Sequence, residues 1–112
     1  MTNISSWGRL SAYPHHMIPM HHADHIDSRM QLSPQQSIAY GMGRSYGDVC
    51  LNPHGSLWMT HALDRFIAFD DTTGMLQCQA GMTLQTIQQL MVHRGWMLPV
   101  TPGTQHITVG GA

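Results

Sequence analysis

The residues best suited to bind a ligand lie in the glycine-rich sequence Tyr-Gly-Met-Gly-Arg-Ser-Tyr-Gly-Asp, residues 40–48. Three glycines fall within seven positions, directly after an apolar run at residues 37–40. Glycine adopts positive φ angles and lets other groups approach the backbone, so successive N–H groups of such a turn can form a concave anion site. Arg44 adds a planar cation and Ser45 a hydroxyl donor. The spacing predicts a loop that binds phosphate or pyrophosphate, and a simple tight turn is the alternative.

This loop differs from two common phosphate-binding motifs. No Gly-Lys-Ser/Thr follows it, as a P-loop requires, and no long amphipathic helix opens from it, as the dinucleotide fingerprint requires. Asn-Pro-His-Gly at residues 52–55 follows instead, which keeps the segment in a loop.

A second glycine-rich segment lies at residues 102–104 (Pro-Gly-Thr) and 108–112 (Thr-Val-Gly-Gly-Ala). Its threonines offer hydroxyl groups and its glycines offer close backbone approach. Either glycine-rich segment alone is weak support for a ligand site. Together they support it more strongly, because one long anionic ligand could span both.

The elements that must position these segments follow from apolar periodicity and turn residues. These sequence signals predict an α+β (α/β-like) domain with a small mixed sheet and short helices. In chain order we expect an irregular arm at 1–12 anchored by Trp7, a strand at 15–22, a helix at 23–30, a turn at 33–36, strands at 37–42 and 56–60, a hairpin at 65–70 and 75–81, a helix at 83–94, a strand at 96–100 and an extended segment at 107–109.

The hairpin and the second helix have the clearest signals. Asp-Thr-Thr-Gly at residues 71–74 has turn chemistry, and both faces of the strand before it are apolar, so we expect that strand to be covered on both sides. Thr83 can cap the helix, and Gly95 suits the position just beyond its end. One helix face is apolar through Leu84, Ile87, Leu90 and Met91.

Composition excludes some classes of function. Charged residues make up 10% of the 112 residues, against about 25% in a typical domain. The formal net charge of −1 argues against a broad basic face, so we expect no nucleic-acid partner. No apolar run reaches the roughly 18 residues of a transmembrane helix, and the N-terminal residues do not resemble a signal peptide. Cys50 and Cys78 lack metal-site spacing and are expected to be free thiols. These features favour a cytoplasmic protein.

A histidine- and methionine-rich segment supports a competing hypothesis. Imidazole and thioether groups together suit copper, and histidines alone suit nickel or zinc. The spacing matches no specific metal site, so we predict no metal ligand, but a metal-binding module and a structural or interaction domain remain alternatives. The segment contains His15, His16, Met17, Met20, His21, His22 and His25.

Three segments together resemble a known family: the sequence Gly-Met-Gly-Arg-Ser-Tyr-Gly-Asp at 41–48 and the segments at 102–104 and 108–112. The chain is similar to the N-terminal portion of the PCMH-type FAD-binding domain of vanillyl-alcohol-oxidase-like enzymes. Within that group it resembles decaprenylphosphoryl-ribose oxidases and related sugar or alditol oxidases. Trp-Gly-Arg at residues 7–9 also resembles a tripeptide near the start of those enzymes. The resemblance covers residues 13–112 as a partial domain and is strongest over 37–112.

The resemblance implies that FAD is the cofactor. The first loop would hold the pyrophosphate, with Gly47 and Asp48 shaping it, and the second segment would run beside the ribityl chain and flavin. Many covalent flavoproteins of this type have histidine where this chain has Arg44, so non-covalent FAD is implied. The family often has arginine before the first loop glycine, where this chain has Tyr40, which would remove one cation from the phosphates. The implied contact residues are Gly41, Met42, Gly43, Arg44, Ser45, Tyr46, Pro102, Gly103, Thr104, Thr108, Gly110, Gly111 and Ala112.

The resemblance also implies what lies outside these residues. A C-terminal substrate domain would complete the enzyme, with a sugar-type small molecule as its substrate, so no catalytic residue can be assigned here. We expect the chain to be a catalytically silent piece of a longer oxidoreductase. Unpaired strand edges in such a piece favour homo-oligomers.

Overall fold

The computed structural model describes residues 1–31 and 36–112. Its larger sheet contains strands β1 (Thr2–Ser5), β2 (Ala12–Pro19), β3 (Ser37–Tyr40) and β4 (Ser56–Met59), in the order β1-β2-β4-β3. β1 is antiparallel to β2, whereas β2 and β3 are both parallel to β4. A separate hairpin pairs β5 (Phe66–Asp70) with β6 (Met75–Cys78). The helices are α1 (Ile26–Gln31) and α2 (Leu84–Met91), so the small α+β fold with mixed pairing is confirmed.

The central strand of the larger sheet sets where the glycine-rich loop begins. Leu57 and Ser56 of β4 are fully buried, and Tyr40 at the end of β3 pairs with Met59 at the end of β4. The Thr60 backbone N–H and hydroxyl both donate to the Tyr40 carbonyl, at 3.0 and 3.1 Å. The loop therefore leaves the sheet at the carboxyl ends of parallel strands, where open α/β sheets commonly bind ligands.

The N-terminal residues differ from the expected irregular arm. Thr2–Ser5 forms an edge strand because its backbone pairs with β2, with Ile4 opposite Tyr13. Trp7 is 62% exposed, so the expectation that it anchors packing is wrong within the described chain. It lies instead in a turn in which the Arg9 N–H donates to the Ser6 carbonyl at 3.0 Å.

The first helical segment was expected at residues 23–30. A 3₁₀ turn at Ala23–His25 leads into α1, so two short helical turns are present as expected. Of the turn expected at residues 33–36, residues 33–35 lie outside the described part of the chain.

The smaller core forms between α2 and the hairpin. It is built on Met82, Leu84, Ile87 and Met91, with Phe69 packed against them. The Thr83 side chain accepts from the Thr86 N–H at 3.2 Å, which confirms the predicted cap. The predicted left-handed Gly95 is also confirmed, with φ of 81°.

Three expectations for this region are wrong. Leu90 is 45% exposed, because it lies at the margin of the apolar face of α2. Phe66 and Ile67 of β5 are 40% and 54% exposed, because nothing in the described chain packs over their sides of the hairpin. Residues 96–100 form no strand. No strand of the described chain pairs with them, and the Trp96 ring packs edge-to-face on Phe69, with centroids 5.7 Å apart.

The described residues form a flat body with principal extents of 46 × 33 × 15 Å. Within those residues, neither helix has the length and apolar character needed to cross a bilayer.

Candidate functional site

One cleft of about 720 Å³ brings the two glycine-rich segments together. Its volume is within the range of small-molecule and cofactor sites, about 300–1,000 Å³. Twelve of the thirteen residues predicted from the sequence line it, and Ala112 does not. The twelve are Gly41, Met42, Gly43, Arg44, Ser45, Tyr46, Pro102, Gly103, Thr104, Thr108, Gly110 and Gly111.

The glycine-rich loop, residues 41–48, presents unpaired backbone donors. Within the described chain, no N–H group of residues 42–47 donates a hydrogen bond to the protein. Gly43 and Gly47 have φ of 66° and 60°, a left-handed conformation that lets neighbouring N–H groups converge. These unpaired donors are available to an anion.

Arg44 places its charge over the same loop. Its Nη1 donates to the Met42 carbonyl at 2.6 Å, which folds the exposed guanidinium back towards the loop backbone. A guanidinium has five donor hydrogens, so four remain for a ligand. Tyr46 is 88% exposed beside it and leaves the loop open to solvent.

The Tyr40 side chain packs against the glycine-rich loop at Gly43. A Cβ on Gly43 would overlap the Tyr40 hydroxyl, so the loop passes against that phenol. Burial raises the pKa of Tyr40, with the neighbouring Cys50 adding to the effect and Arg44 opposing it. The phenol therefore stays protonated at neutral pH and remains a hydrogen-bond donor.

The second segment, residues 102–111, meets the loop at one tight contact. A Cβ on Gly41 would lie 2.6 Å from Thr108 Oγ1, so only glycine fits there without movement. Thr108 is 5% exposed and forms a β-bridge with Thr83, which caps α2. The helix thus fixes the position of this segment against the loop.

Backbone donors at the C-terminal end of the second segment, residues 109–111, are already satisfied within the protein. The N–H groups of Val109 and Gly110 donate to Met82 and Ala80, both at 2.9 Å. The Gly111 N–H donates to Thr108 at 3.1 Å inside a 3₁₀ turn at Val109–Gly111, where an extended segment was expected over 107–109. Residues 109–111 therefore offer a shaped wall without free N–H donors, whereas the N–H groups of residues 42–47 in the loop are available to a ligand.

Sequence reasoning missed several residues that line or support the cleft. Ser6 donates its hydroxyl to Asp48 Oδ1 at 2.9 Å and so ties the N-terminal turn to the loop. Trp7 and Cys50 both line the cleft, and burial raises the pKa of the Cys50 thiol. The Trp-Gly-Arg tripeptide was the available signal for the turn, but no sequence pattern indicated that residues 42 positions apart would bond.

The histidine- and methionine-rich segment does not converge on a metal site in the described chain. The fully buried His15 has both ring nitrogens engaged: Nδ1 donates to the Tyr13 carbonyl at 2.8 Å, and Nε2 accepts from the Asn52 N–H at 2.9 Å. His22 and His25 are neighbours, with ring centroids 5.9 Å apart. Among residues 1–31 and 36–112, no three His, Cys, Asp or Glu side chains are placed to hold a metal ion.

The cleft fits the cofactor that the sequence resemblance implies. Its loop supplies unpaired N–H groups and a cation for a pyrophosphate, and its second segment supplies a close-packed wall for a flat or extended group. The Gly41–Thr108 contact joins both parts, so a dinucleotide could contact them simultaneously.

Comparisons with known proteins agree with this geometry. The family model described as "FAD binding domain" matches residues 15–112. The chain is also 40% identical over 75 residues, 67% of its length, to decaprenylphosphoryl-beta-D-ribose oxidase of Mycolicibacterium smegmatis. It spans about 16% of that relative's length. Because the family model covers most of the chain, including both cleft segments, the protein belongs to the FAD-binding domain family, and its cofactor is FAD.

Proposed function

We propose that this chain is the FAD-binding portion of a flavin-dependent oxidoreductase that oxidises a hydroxyl group of a sugar, an alditol or a polyprenyl-linked sugar. Family membership supports the cofactor, and the relative's name supports an oxidase of a polyprenyl-linked sugar. The observation that carries the proposal is the single cleft in which unpaired N–H groups face a wall built by the second segment.

The two glycine-rich segments, which form the two walls of the cleft, have different roles in this proposal. Residues 41–46 bind the FAD pyrophosphate through backbone N–H groups, the Arg44 guanidinium and the Ser45 hydroxyl. Residues 102–111 position the ribityl chain and flavin ring by shape and by the hydroxyl groups of Thr104 and Thr108. Anion binding by oriented N–H groups and a planar cation needs no rearrangement, because Gly43 and Gly47 already hold the loop in its turned conformation.

FAD is held without a covalent bond at the loop. A histidyl–flavin bond needs an imidazole nitrogen, and Arg44 stands at the position that would provide it. If the flavin is non-covalent, acid precipitation of the full-length holoprotein releases all of the flavin into the supernatant. Flavin that remains in the pellet would contradict this, and mass spectrometry of tryptic peptides would then identify the attachment residue, with Cys50 of the cleft as the first to inspect.

The chemistry of the reaction belongs to the cofactor and to the substrate groups. When bound, FAD supplies a hydride acceptor for the substrate C–H bond, and oxygen or a quinone then takes the electrons. The residues of this chain bind and orient the cofactor. Groups that recognise the substrate lie outside these 112 residues, so the isolated chain has no turnover even with FAD added.

The test uses the full-length protein and two readouts. Anaerobic mixing with a polyprenylphosphoryl ribose, an alditol or a free aldose should bleach the flavin absorbance with at least one of them, whereas an amino acid or 2-hydroxy acid should not. Bleaching only by a substrate without a sugar or polyol would overturn the substrate class but leave FAD binding intact. Absence of FAD from the protein, and no saturable uptake of added FAD, would overturn the whole proposal.

A further inference from the structure

A second hollow of about 410 Å³ opens beside the cleft and has a cationic lining. It shares Trp7, Met42, Gly43 and Arg44 with the cleft, so the two adjoin. It adds Arg9 and Tyr40, together with the serines at positions 5 and 6. Two arginines therefore face a space that the proposed pyrophosphate site adjoins, and Asp48, which bonds to Ser6 nearby, does not line it.

Arg9 occupies this place because of an unusual backbone conformation. Its φ is 54°, in the left-handed region that residues other than glycine rarely adopt. The Arg9 N–H closes the turn onto Ser6, and the Ser6 hydroxyl is tied to Asp48 in the glycine-rich loop. Backbone strain of this kind persists where surrounding contacts hold it and is concentrated at functional sites. The turn is thus fastened to the loop whose N–H groups are unpaired.

The Arg9 side chain is exposed and has no hydrogen bond or ion pair within the described chain. Tyr40 lines the same hollow with a protonated hydroxyl. Arg9 therefore brings a cation from the N-terminal turn to the side of the loop where Tyr40 contributes none.

We propose that Arg9 is a phosphate-binding residue of the FAD site, which contacts the pyrophosphate from the second hollow together with Arg44 and the Tyr40 hydroxyl. This rests on the proposed FAD cleft and adds to it a residue from the N-terminal turn. The N-terminal turn is then part of the cofactor site, and its bond to Asp48 positions Arg9.

The experiment compares Arg9→Gln with wild type in the full-length apoprotein, by titrating FAD and riboflavin at about 50 and 200 mM salt. Gln keeps the length and polarity of the side chain but removes its charge. Loss of one charge-assisted contact should weaken FAD binding about tenfold at low salt, by less at high salt, and leave riboflavin binding unchanged. Arg9→Lys should recover part of the loss.

Arg65→Gln is the matched control, because Arg65 is exposed at the start of the hairpin and lines neither hollow. It should bind FAD as wild type does. If Arg9→Gln binds FAD as tightly as wild type, or weakens FAD and riboflavin equally, Arg9 has no phosphate contact and the inference is overturned while the FAD site stands. If wild type itself takes up no FAD, the proposed function fails and the inference fails with it.

Discussion

The two walls of the cleft are both rich in glycine, yet they are built for different tasks. In the loop the N–H groups of residues 42–47 have no acceptor in the described part of the chain, Gly43 and Gly47 have positive φ, and Tyr46 is 88% exposed. In the second segment the N–H groups of residues 109–111 are all bonded within the protein, and Thr108 is 5% exposed. In the loop, positive φ at Gly43 and Gly47 accompanies unpaired N–H groups, whereas at Gly110 of the second segment the N–H group is bonded and a Cβ would lie 3.1 Å from the Ala80 Cβ. Glycine content alone therefore does not identify an anion-binding loop; the hydrogen-bond partners of its N–H groups do.

The largest effect should come from Gly43→Ala in the loop. The new methyl group would overlap the Tyr40 hydroxyl, and the left-handed conformation adds roughly 1–2 kcal/mol of strain. If the turn shifts and two hydrogen bonds of about 1.5 kcal/mol each are lost, FAD affinity falls about 100-fold. Fluorescence titration of the apoprotein measures this directly.

Gly47→Ala is the control for this substitution. Gly47 has the same left-handed conformation, with φ of 60°, but no heavy atom of the described chain lies within 4 Å of the methyl position. It should cost only the backbone strain and therefore bind FAD more tightly than Gly43→Ala. Equal losses in both variants would show that strain, and not the contact with Tyr40, limits the loop.

A smaller effect is expected where the two walls touch. In Gly41→Ala the new methyl group would lie 2.6 Å from Thr108 Oγ1, which should separate the walls and weaken FAD binding about tenfold. Thr108→Ala removes the opposing atoms, so the double variant should recover most of that affinity. Additive losses in this double-mutant cycle would mean that the Gly41–Thr108 contact does not set the spacing of the walls.

In the second wall, Gly110→Ala should affect stability more than binding. The methyl group would lie 3.1 Å from the Ala80 Cβ, and such overpacking costs about 1 kcal/mol in the free energy of unfolding. FAD affinity should stay within about threefold of wild type, less than 1 kcal/mol, because the Gly110 N–H already donates to Ala80 and is not available to the cofactor. Urea unfolding and FAD titration of the same preparation separate the two effects. A loss of FAD affinity as large as that of Gly43→Ala would show that the two walls do not differ in how they contribute to FAD binding.

The smallest effect concerns thiol reactivity. Burial raises the pKa of both Cys50 and Cys78, so both thiols should be alkylated more slowly than a free cysteine at pH 8. Cys50 lines the cleft and Cys78 does not. Saturating FAD should therefore slow iodoacetamide labelling of Cys50 severalfold and leave Cys78 unchanged, as peptide mass spectrometry would show. Protection of Cys78 alone would indicate that FAD binds elsewhere.

Local signals predicted the elements best where turn chemistry and periodicity agreed. Thr83 caps α2 and Gly95 ends the helical segment as expected, because both signals act within one or two turns of the chain. The prediction was poorer where long-range pairing decided the outcome. Thr2–Ser5 is a strand only because β2 lies beside it, and residues 96–100 are not a strand because no strand of the described chain pairs with them.

The order of the two glycine-rich segments resembled a known FAD-binding pattern, so the sequence alone predicted twelve of the residues that meet in one cleft, but not Trp7 or Cys50. Only the tertiary structure decided what each segment offers. Whether an N–H group is unpaired depends on carbonyls far along the chain, such as Ala80 for Gly110. The position of Arg9 likewise depends on the hydrogen bond between Ser6 and Asp48. These two residues are 42 positions apart, so no local sequence pattern indicates their contact.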